Sequence, residues 1–209
     1  MAMKLGVFSF NTEYTIRADE LAIAAEERGF ESIWFPEHTH IPASRETAYP
    51  GGGPLPKEYI HMSDPFTSAA AAAVVTKTIK IGTGVCLVIE HDPLALAKTV
   101  ATIDRLSNGR FILGVGAGWN AEEMENHGTP YAKRWKVLEE RVKAMKALWT
   151  QEEASFKGDW VNFEKVWSYP KPVQKPHPPV IIGTFGSKWG CQRVADYAEG
   201  WIPIDGLMT

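Results

Sequence analysis

The sequence predicts an α/β fold built on parallel strands. Short apolar runs alternate with segments of helical period along the whole chain. An Asp-Pro pair opens a helix twice, at Asp64-Pro65 and at Asp92-Pro93, with proline tolerated in the first turn. The stretch Gly109 to Asn120, GRFILGVGAGWN, runs from the apolar-rich positions Phe111 to Val115 into Gly116-Ala117-Gly118. It reads as a buried strand opening into a loop where backbone approaches a ligand closely. Parallel α/β proteins place their chemistry on loops at the carboxyl ends of the strands, so whatever converges on that loop is a candidate site.

Lys4 to Phe10 begins as the first strand, and Asn11, Thr12 and Glu13 form the polar loop beyond it. Asn11 is therefore a candidate substrate contact. Arg17 to Arg28, rich in Ala, Leu and Glu, reads as a helix that stops at the C′ residue Gly29. Ser32 to Pro36 is the second strand and delivers Glu37-His38-Thr39-His40. Residues 41–62 carry four prolines and Gly51-Gly52-Gly53 without a sustained period. That is an extended excursion over the strand ends, and a loop so long in a compact domain usually covers a site.

A helix follows from Pro65 through the alanine-rich Ala69 to Val75. Ile79 to Val88 reads as the third strand, apolar apart from Lys80 and the Gly82-Thr83-Gly84 step. After Pro93, Leu96, Val100, Ile103 and Leu106 recur at helical spacing until Asn108-Gly109. Beyond the fourth strand, Trp135, Leu138, Val142, Met145 and Trp149 mark an amphipathic helix. Residues 151–175 read as a hairpin-like insertion leading into the proline-rich stretch Pro170 to Pro179. Val180 to Gly183 is the fifth strand. The loop Thr184-Phe185-Gly186-Ser187 and a helix through Cys191, Val194 and Ala198 lead to the sixth, Gly200 to Ile204.

The bulk properties exclude several classes. With 44% hydrophobic and 22% charged residues the 209-residue chain is an ordinary globular sequence. A net charge of -3, with Lys and Arg scattered, gives no footprint for nucleic acid. No stretch reaches the roughly 20 apolar residues of a membrane span, and a cytoplasmic location is the expectation. Two cysteines, Cys86 and Cys191, predict no disulfide framework. Most of the eight tryptophans read as core, with those at strand ends suited to a flat ligand.

Strands alternating with helices imply right-handed crossovers. A doubly wound sheet accommodates six strands, but no glycine fingerprint follows the first one. A (β/α)8 barrel typically takes about 250 residues, so this chain is short of it by roughly two βα units.

The residues also carry a family resemblance. IWFPEHTH after the second strand, RFILGVGAGWN at the fourth, and PPVIIGTFG followed by ADYAEGWIPI together resemble the luciferase-like monooxygenase superfamily of flavin and deazaflavin enzymes. SRETAYPGGGPLPKEY, DRLSNGR and WSYPKPVQKPHPP resemble its actinobacterial branch of coenzyme F420 oxidoreductases. The resemblance covers the whole chain. It implies one domain over residues 1–209, a (β/α)8 TIM barrel of the luciferase-like type stopping after about six strands, with the C-terminal βα units absent, and a homodimer.

The function it implies is hydride transfer between F420 and a small organic substrate, with FMN as the alternative cofactor of a monooxygenase. His38 and Glu37 map to the positions beside the reactive ring, and His38 is the candidate for moving the proton, a task suited to a group titrating near neutrality. The bland alternative is a histidine capping a strand end. Val85, Cys86 and Leu87 map to a bulge with a non-proline cis peptide that backs the ring, although their own composition reads as plain buried strand. Gly116, Ala117 and Gly118 offer backbone to the cofactor. Gly183, Thr184, Phe185, Gly186 and Ser187 precede a helix and fit a phosphate seat.

Some sugar-phosphate dehydrogenases of the family carry a glutamate directly after the Gly-x-Gly, where this chain has Trp119. Trp119 and Asn120 are therefore substrate-side candidates, and sugar-phosphate oxidation is not expected. Glu90, Glu122 and Glu123 are candidate acids whose bland reading is solvated carboxylates. Two rivals stand beside this reading: a metal-dependent barrel hydrolase using His38 and His40, and a shortened barrel that binds flavin without turnover. The reading favoured here has no metal.

Overall fold

The computed structural model describes residues 3–204; the stop expected at Thr209 lies outside the described residues. Six strands form one all-parallel, curled sheet in the order β1 (Gly6–Phe8), β2 (Ser32–Phe35), β3 (Lys80–Thr83), β4 (Phe111–Val115), β7 (Val180–Thr184) and β8 (Gly200–Pro203). Apolar residues pair across it, Ile33 with Ile81, Ile81 with Phe111 and Leu113 with Val180, so near-continuous hydrophobic runs fill both faces. The helices α1 (Ala18–Glu27), α2 (Pro65–Val75), α3 (Pro93–Leu106), α4 (Ala121–Asn126), α5 (Arg134–Thr150) and α6 (Lys188–Tyr197) lie between them in sequence.

The local chemistry explains the helix ends. Asp64 and Asp92 accept hydrogen bonds from the Thr67 and Ala95 N–H groups, capping α2 and α3 with proline in the first turn. Asn108 and Gly109, at φ 54° and 78°, stop α3 in the left-handed region. Leu96, Val100 and Ile103 are buried as the spacing predicts, whereas Leu106 is exposed at the helix end. Asp104 on the same helix is fully buried. Its carboxylate accepts the backbone N–H groups of Val173 and Gln174 and the Gln174 side-chain amide, which ties the proline-rich stretch to α3.

The strand expected over Ile79 to Val88 ends at Thr83. The Gly84–Val85 peptide is cis, Cys86 makes one parallel bridge to Val115, and Val88–Glu90 form a 3-10 turn. The Thr83 hydroxyl and the Cys86 N–H both donate to the Gly114 carbonyl, so the register breaks there. An unbroken apolar run hides such a break from periodicity. The insertion is a hairpin, β5 (Ala154–Lys157) against β6 (Asn162–Val166), whose turn is held by Glu140 of α5 accepting the N–H groups of Asp159, Trp160 and Val161. No helix among the described residues is long and apolar enough to cross a membrane.

Candidate functional site

A cavity of about 670 Å3 opens at the carboxyl ends of the strands. Phe8 and Phe10 reach it from β1, Pro36, Glu37 and His38 from β2, Gly84, Val85 and Leu87 from the broken end of β3. Gly116, Ala117, Gly118 and Trp119 follow β4, and Gly183, Thr184 and Phe185 close β7. Tyr49 and Tyr59 of the 41–62 excursion cover it, and Tyr131, Arg134 and Trp135 border it at the start of α5.

Val85 forms the floor. A Cβ on Gly116 would meet Val85 Cγ2 at 2.5 Å, and one on Gly183 would meet Cγ1 at 2.8 Å, so glycine is required on both sides of this side chain. The opposite wall is aromatic. The His38 ring lies 5.3 Å from Tyr59 and 5.6 Å from Trp119, while Tyr49 stands 5.2 Å from Tyr59 and 5.9 Å from Trp119. Such edge and tilted contacts suit aromatic rings and leave flat space between floor and wall.

Two neighbouring carboxylates of α4 hold this wall. Glu122 Oε1 accepts the N–H groups of Glu46 at 2.5 Å and Thr47 at 3.0 Å, and the Thr47 hydroxyl accepts the Ala121 N–H at 3.3 Å. Hydrogen bonding from the Thr47 side chain, then from the backbone, brings Glu122 down to about 2. Glu123 turns inward: it is 1% exposed, and its Oε2 lies 2.6 Å from Nδ1 of His38. The Trp119 indole N–H donates to His38 Nε2 at 3.3 Å. An indole can only donate, so Nε2 is the accepting nitrogen and Nδ1 carries the hydrogen given to Glu123.

Glu37 does a different task. Its Oε2 accepts the Leu87 N–H at 2.6 Å and its Oε1 pairs with His91 Nε2 at 2.8 Å, which fixes the turn after the cis peptide. Burial works to lower His91, but the Glu37 carboxylate lifts it above the usual imidazole range. Glu90 is also buried, and burial, reinforced by the charges of Glu123 and Glu37, pushes its carboxyl up to about 9. Glu90 and Glu123 are thus not solvated carboxylates.

Of the residues singled out by sequence, His38, Glu37, Val85, Leu87, Gly116, Ala117, Gly118, Trp119, Gly183, Thr184 and Phe185 all line the cavity. Asn11 does not; it is buried, and its amide donates to Ser68 Oγ, tying the end of β1 to α2. Asn120, 1% exposed, is the N-cap of α4 and accepts the Glu123 N–H instead of facing a substrate. Cys86 is wholly buried beneath the floor, where burial and then the Glu37 charge raise its thiol. Gly186 and Ser187 lie past the rim, and Ser187 caps α6 through the Gly190 N–H.

His38 and His40 are not brought together. His38 turns to the cavity, whereas His40 bonds Thr39 and Asn126 at the surface, because the chain leaves strand geometry after Phe35. Among the described residues one group, Glu37, Cys86 and His91, clusters closely enough to hold a metal, and its members already satisfy one another by hydrogen bonds. Sequence reasoning missed Tyr49, Tyr59, Arg134 and Trp135 as lining residues; the length and composition of the 41–62 excursion signalled the first two.

The model of the luciferase-like monooxygenase family matches residues 3–207. An uncharacterised protein of Mycobacterium tuberculosis is 45% identical over 203 residues, covering 96% of this chain and 72% of its own length. An FMNH(2)-dependent dimethylsulfone monooxygenase of Pseudomonas putida is 35% identical over 117 residues, 54% of this chain and 32% of that enzyme. A solved F420-dependent secondary alcohol dehydrogenase, in complex with an F420-acetone adduct, superposes with a TM-score of 0.73 at 27% identity, covering 96% of this chain and 58% of that one.

Proposed function

The chain belongs to the luciferase-like monooxygenase family, and from that premise we propose that its cavity binds a deazaflavin of the F420 type and that His38 moves the proton as a hydride passes to or from a small organic substrate. Relatives use either F420 or FMN. The observation that carries the proposal is the placement of His38, its ring pinned by Glu123 and Trp119 in the wall opposite a floor made of Val85 between two obligatory glycines. A flat ring system fits between them.

When bound, the ring system supplies or accepts the hydride. The chain's own residues do the rest. Val85, Leu87 and Gly116 to Gly118 would back the ring, and Tyr49, Tyr59 and Trp119 would exclude water from the reacting face. Gly183 to Ser187 at the start of α6, with the Arg134 guanidinium bordering the same cavity, would seat a phosphate. Glu37 would keep the floor in place through Leu87. His38 would accept the substrate's hydroxyl proton at Nε2 during oxidation, once Trp119 gives way to the substrate. The choice of the deazaflavin rests on the likeness of SRETAYPGGGPLPKEY, DRLSNGR and WSYPKPVQKPHPP to the F420 branch.

We also infer that two copies pair through the face of α2 and α3, where a groove of about 660 Å3 is lined by Phe66, Ala70, Leu96 and Ile103 together with the polar Asp64, Asp92 and Lys98. Light scattering on the eluting protein reads the number of copies, and a charge placed in the groove by Ala70→Asp should return the chain to a monomer if this face is the contact.

The test is calorimetric or fluorescence titration with F420 and with FMN. A dissociation constant on the order of micromolar for F420 is expected; tight FMN binding without F420 binding overturns the choice. His38→Ala should slow single-turnover hydride transfer roughly 100-fold with little change in cofactor affinity.

A further inference from the structure

The two nitrogens that meet in the cavity wall restrict what can come between them. The Trp119 indole N–H only donates, and His38 Nε2, with the ring hydrogen on Nδ1, only accepts. Their contact is long, at 3.3 Å, whereas Nδ1 lies 2.6 Å from the buried Glu123 carboxylate behind the ring. The imidazole is therefore held firmly from behind and loosely from the cavity side.

A ligand group that parts Trp119 from His38 without leaving either unmatched must accept on one side and donate on the other. A hydroxyl does both: a lone pair takes the indole N–H, and its own O–H gives to Nε2. A carboxylate or an ether accepts only and leaves Nε2 without a donor. An ammonium donates only and leaves the indole N–H without an acceptor.

The surface around this pair is aromatic. The Tyr59 ring lies 5.3 Å from His38 and 6.2 Å from Trp119, and Phe10 extends the same surface 5.4 Å from Tyr59. The Tyr49 and Tyr59 hydroxyls face each other across 3.4 Å. Among the described residues lining the cavity, Glu37 is the one carboxylate, and both its oxygens are engaged, by the Leu87 N–H and by His91. Arg134 lies over the Tyr131 ring at 3.8 Å and gives Nη1 to the Tyr131 carbonyl. An anion meets no opposite charge at the aromatic wall, and a polyol sets several hydroxyls against ring faces.

We propose that the substrate is a neutral alcohol on an apolar, ring-bearing skeleton, that its hydroxyl inserts between Trp119 and His38, and that the Trp119 N–H holds the oxygen while His38 takes the proton. This rests on the role assigned to His38 above. During oxidation the O–H bond breaks and its proton goes to Nε2. The C–H bond breaks with both electrons leaving as hydride to the oxidised deazaflavin. The carbonyl oxygen so formed still accepts from Trp119, so one donor serves substrate and product alike. Reduction reverses each transfer.

Nitrogen-15 NMR of the cofactor-free protein tests the insertion with 1-phenylethanol as the probe, and the titration is repeated with F420 loaded. The indole signal that Trp119→Phe removes and the imidazole signal that His38→Gln removes should both move, along one saturation curve. Ethylbenzene keeps the ring without the hydroxyl, 2-propanol the hydroxyl without the ring, and mandelate adds a carboxylate to both. Each should bind about tenfold more weakly than 1-phenylethanol. Trp119→Phe should cut the preference for 1-phenylethanol over ethylbenzene about fivefold, the worth of one hydrogen bond; should that variant fail to fold, the wild-type titrations carry the test. Signals that stay in place with and without F420 overturn the insertion, and if F420 binds all the same, the reading of the cavity survives. Binding of 2-propanol or mandelate equal to that of 1-phenylethanol overturns the substrate class. If both signals move while neither F420 nor FMN binds, the insertion stands and the cofactor reading fails.

Discussion

The indole N–H of Trp119 donates to Nε2 of His38 across 3.3 Å, and this contact selects the hydrogen-bearing nitrogen of the imidazole. Trp119→Phe keeps a ring in the aromatic wall but removes the donor. A hydrogen bond of about 1 kcal/mol corresponds to roughly fivefold, so the Nε2–H tautomer should gain about that much over wild type. Nitrogen-15 NMR of the imidazole measures it, and an unchanged tautomer ratio refutes the contact.

The floor offers a packing test. Gly183→Ala drives a methyl toward Val85 Cγ1 and should cost about 1–3 kcal/mol, in line with overpacking of a closed core. Adding Val85→Ala in the same chain makes room and should recover most of that loss. Urea melts of the two single variants and the double variant give the coupling; simple additivity would show that the two side chains do not compete for the same space.

Stability should fall as pH rises through a defined window. Glu90 is lifted from 4.5 to about 9 in the folded chain, by burial first and then by Glu123 and Glu37. Below 4.5 both states carry its proton. Between 4.5 and about 9 the unfolded chain releases that proton and the folded one keeps it, so unfolding is favoured progressively, by at most about 1.4 kcal/mol per pH unit. Glu90→Gln removes this dependence. Its melting temperature should match wild type near pH 4.5 and exceed it increasingly toward pH 9, and parallel pH profiles would contradict the assignment.

Asp104 gives a stability prediction far from the cavity. Asp104→Asn replaces one acceptor oxygen with a donor facing the N–H groups of Val173 and Gln174. A buried donor left unsatisfied costs about 1–3 kcal/mol, and the loss should appear in denaturant midpoints with the slope unchanged. Wild-type stability would mean that the proline-rich stretch does not depend on this anchor.

The helices and most strands were legible because their signals are local: Asp64-Pro65 and Asp92-Pro93 start helices with their own side chains, and Asn108-Gly109 stops one with its own backbone. The break after Thr83 was not, since it depends on Gly114 of a neighbouring strand taking hydrogen bonds out of register. The cavity-facing glycines could be read from their spacing, whereas Asn11 and Asn120 look like ligand contacts until Ser68 and the start of α4 are seen to claim them. Glu123 is the residue that sequence conceals most. On a helix of six residues with an acidic first turn it reads as solvated, and only the fold carries His38 to it across 85 positions.

Glu122 and Glu123 are adjacent, yet one grips the cover of the cavity at Glu46 and Thr47 while the other grips His38. A single helical turn therefore serves as the common hinge pin of the doorway and of the imidazole inside. Any displacement of the cover that drags on Glu122 is transmitted through one peptide unit to the partner of His38, so admission of a ligand and the alignment of the imidazole are mechanically geared.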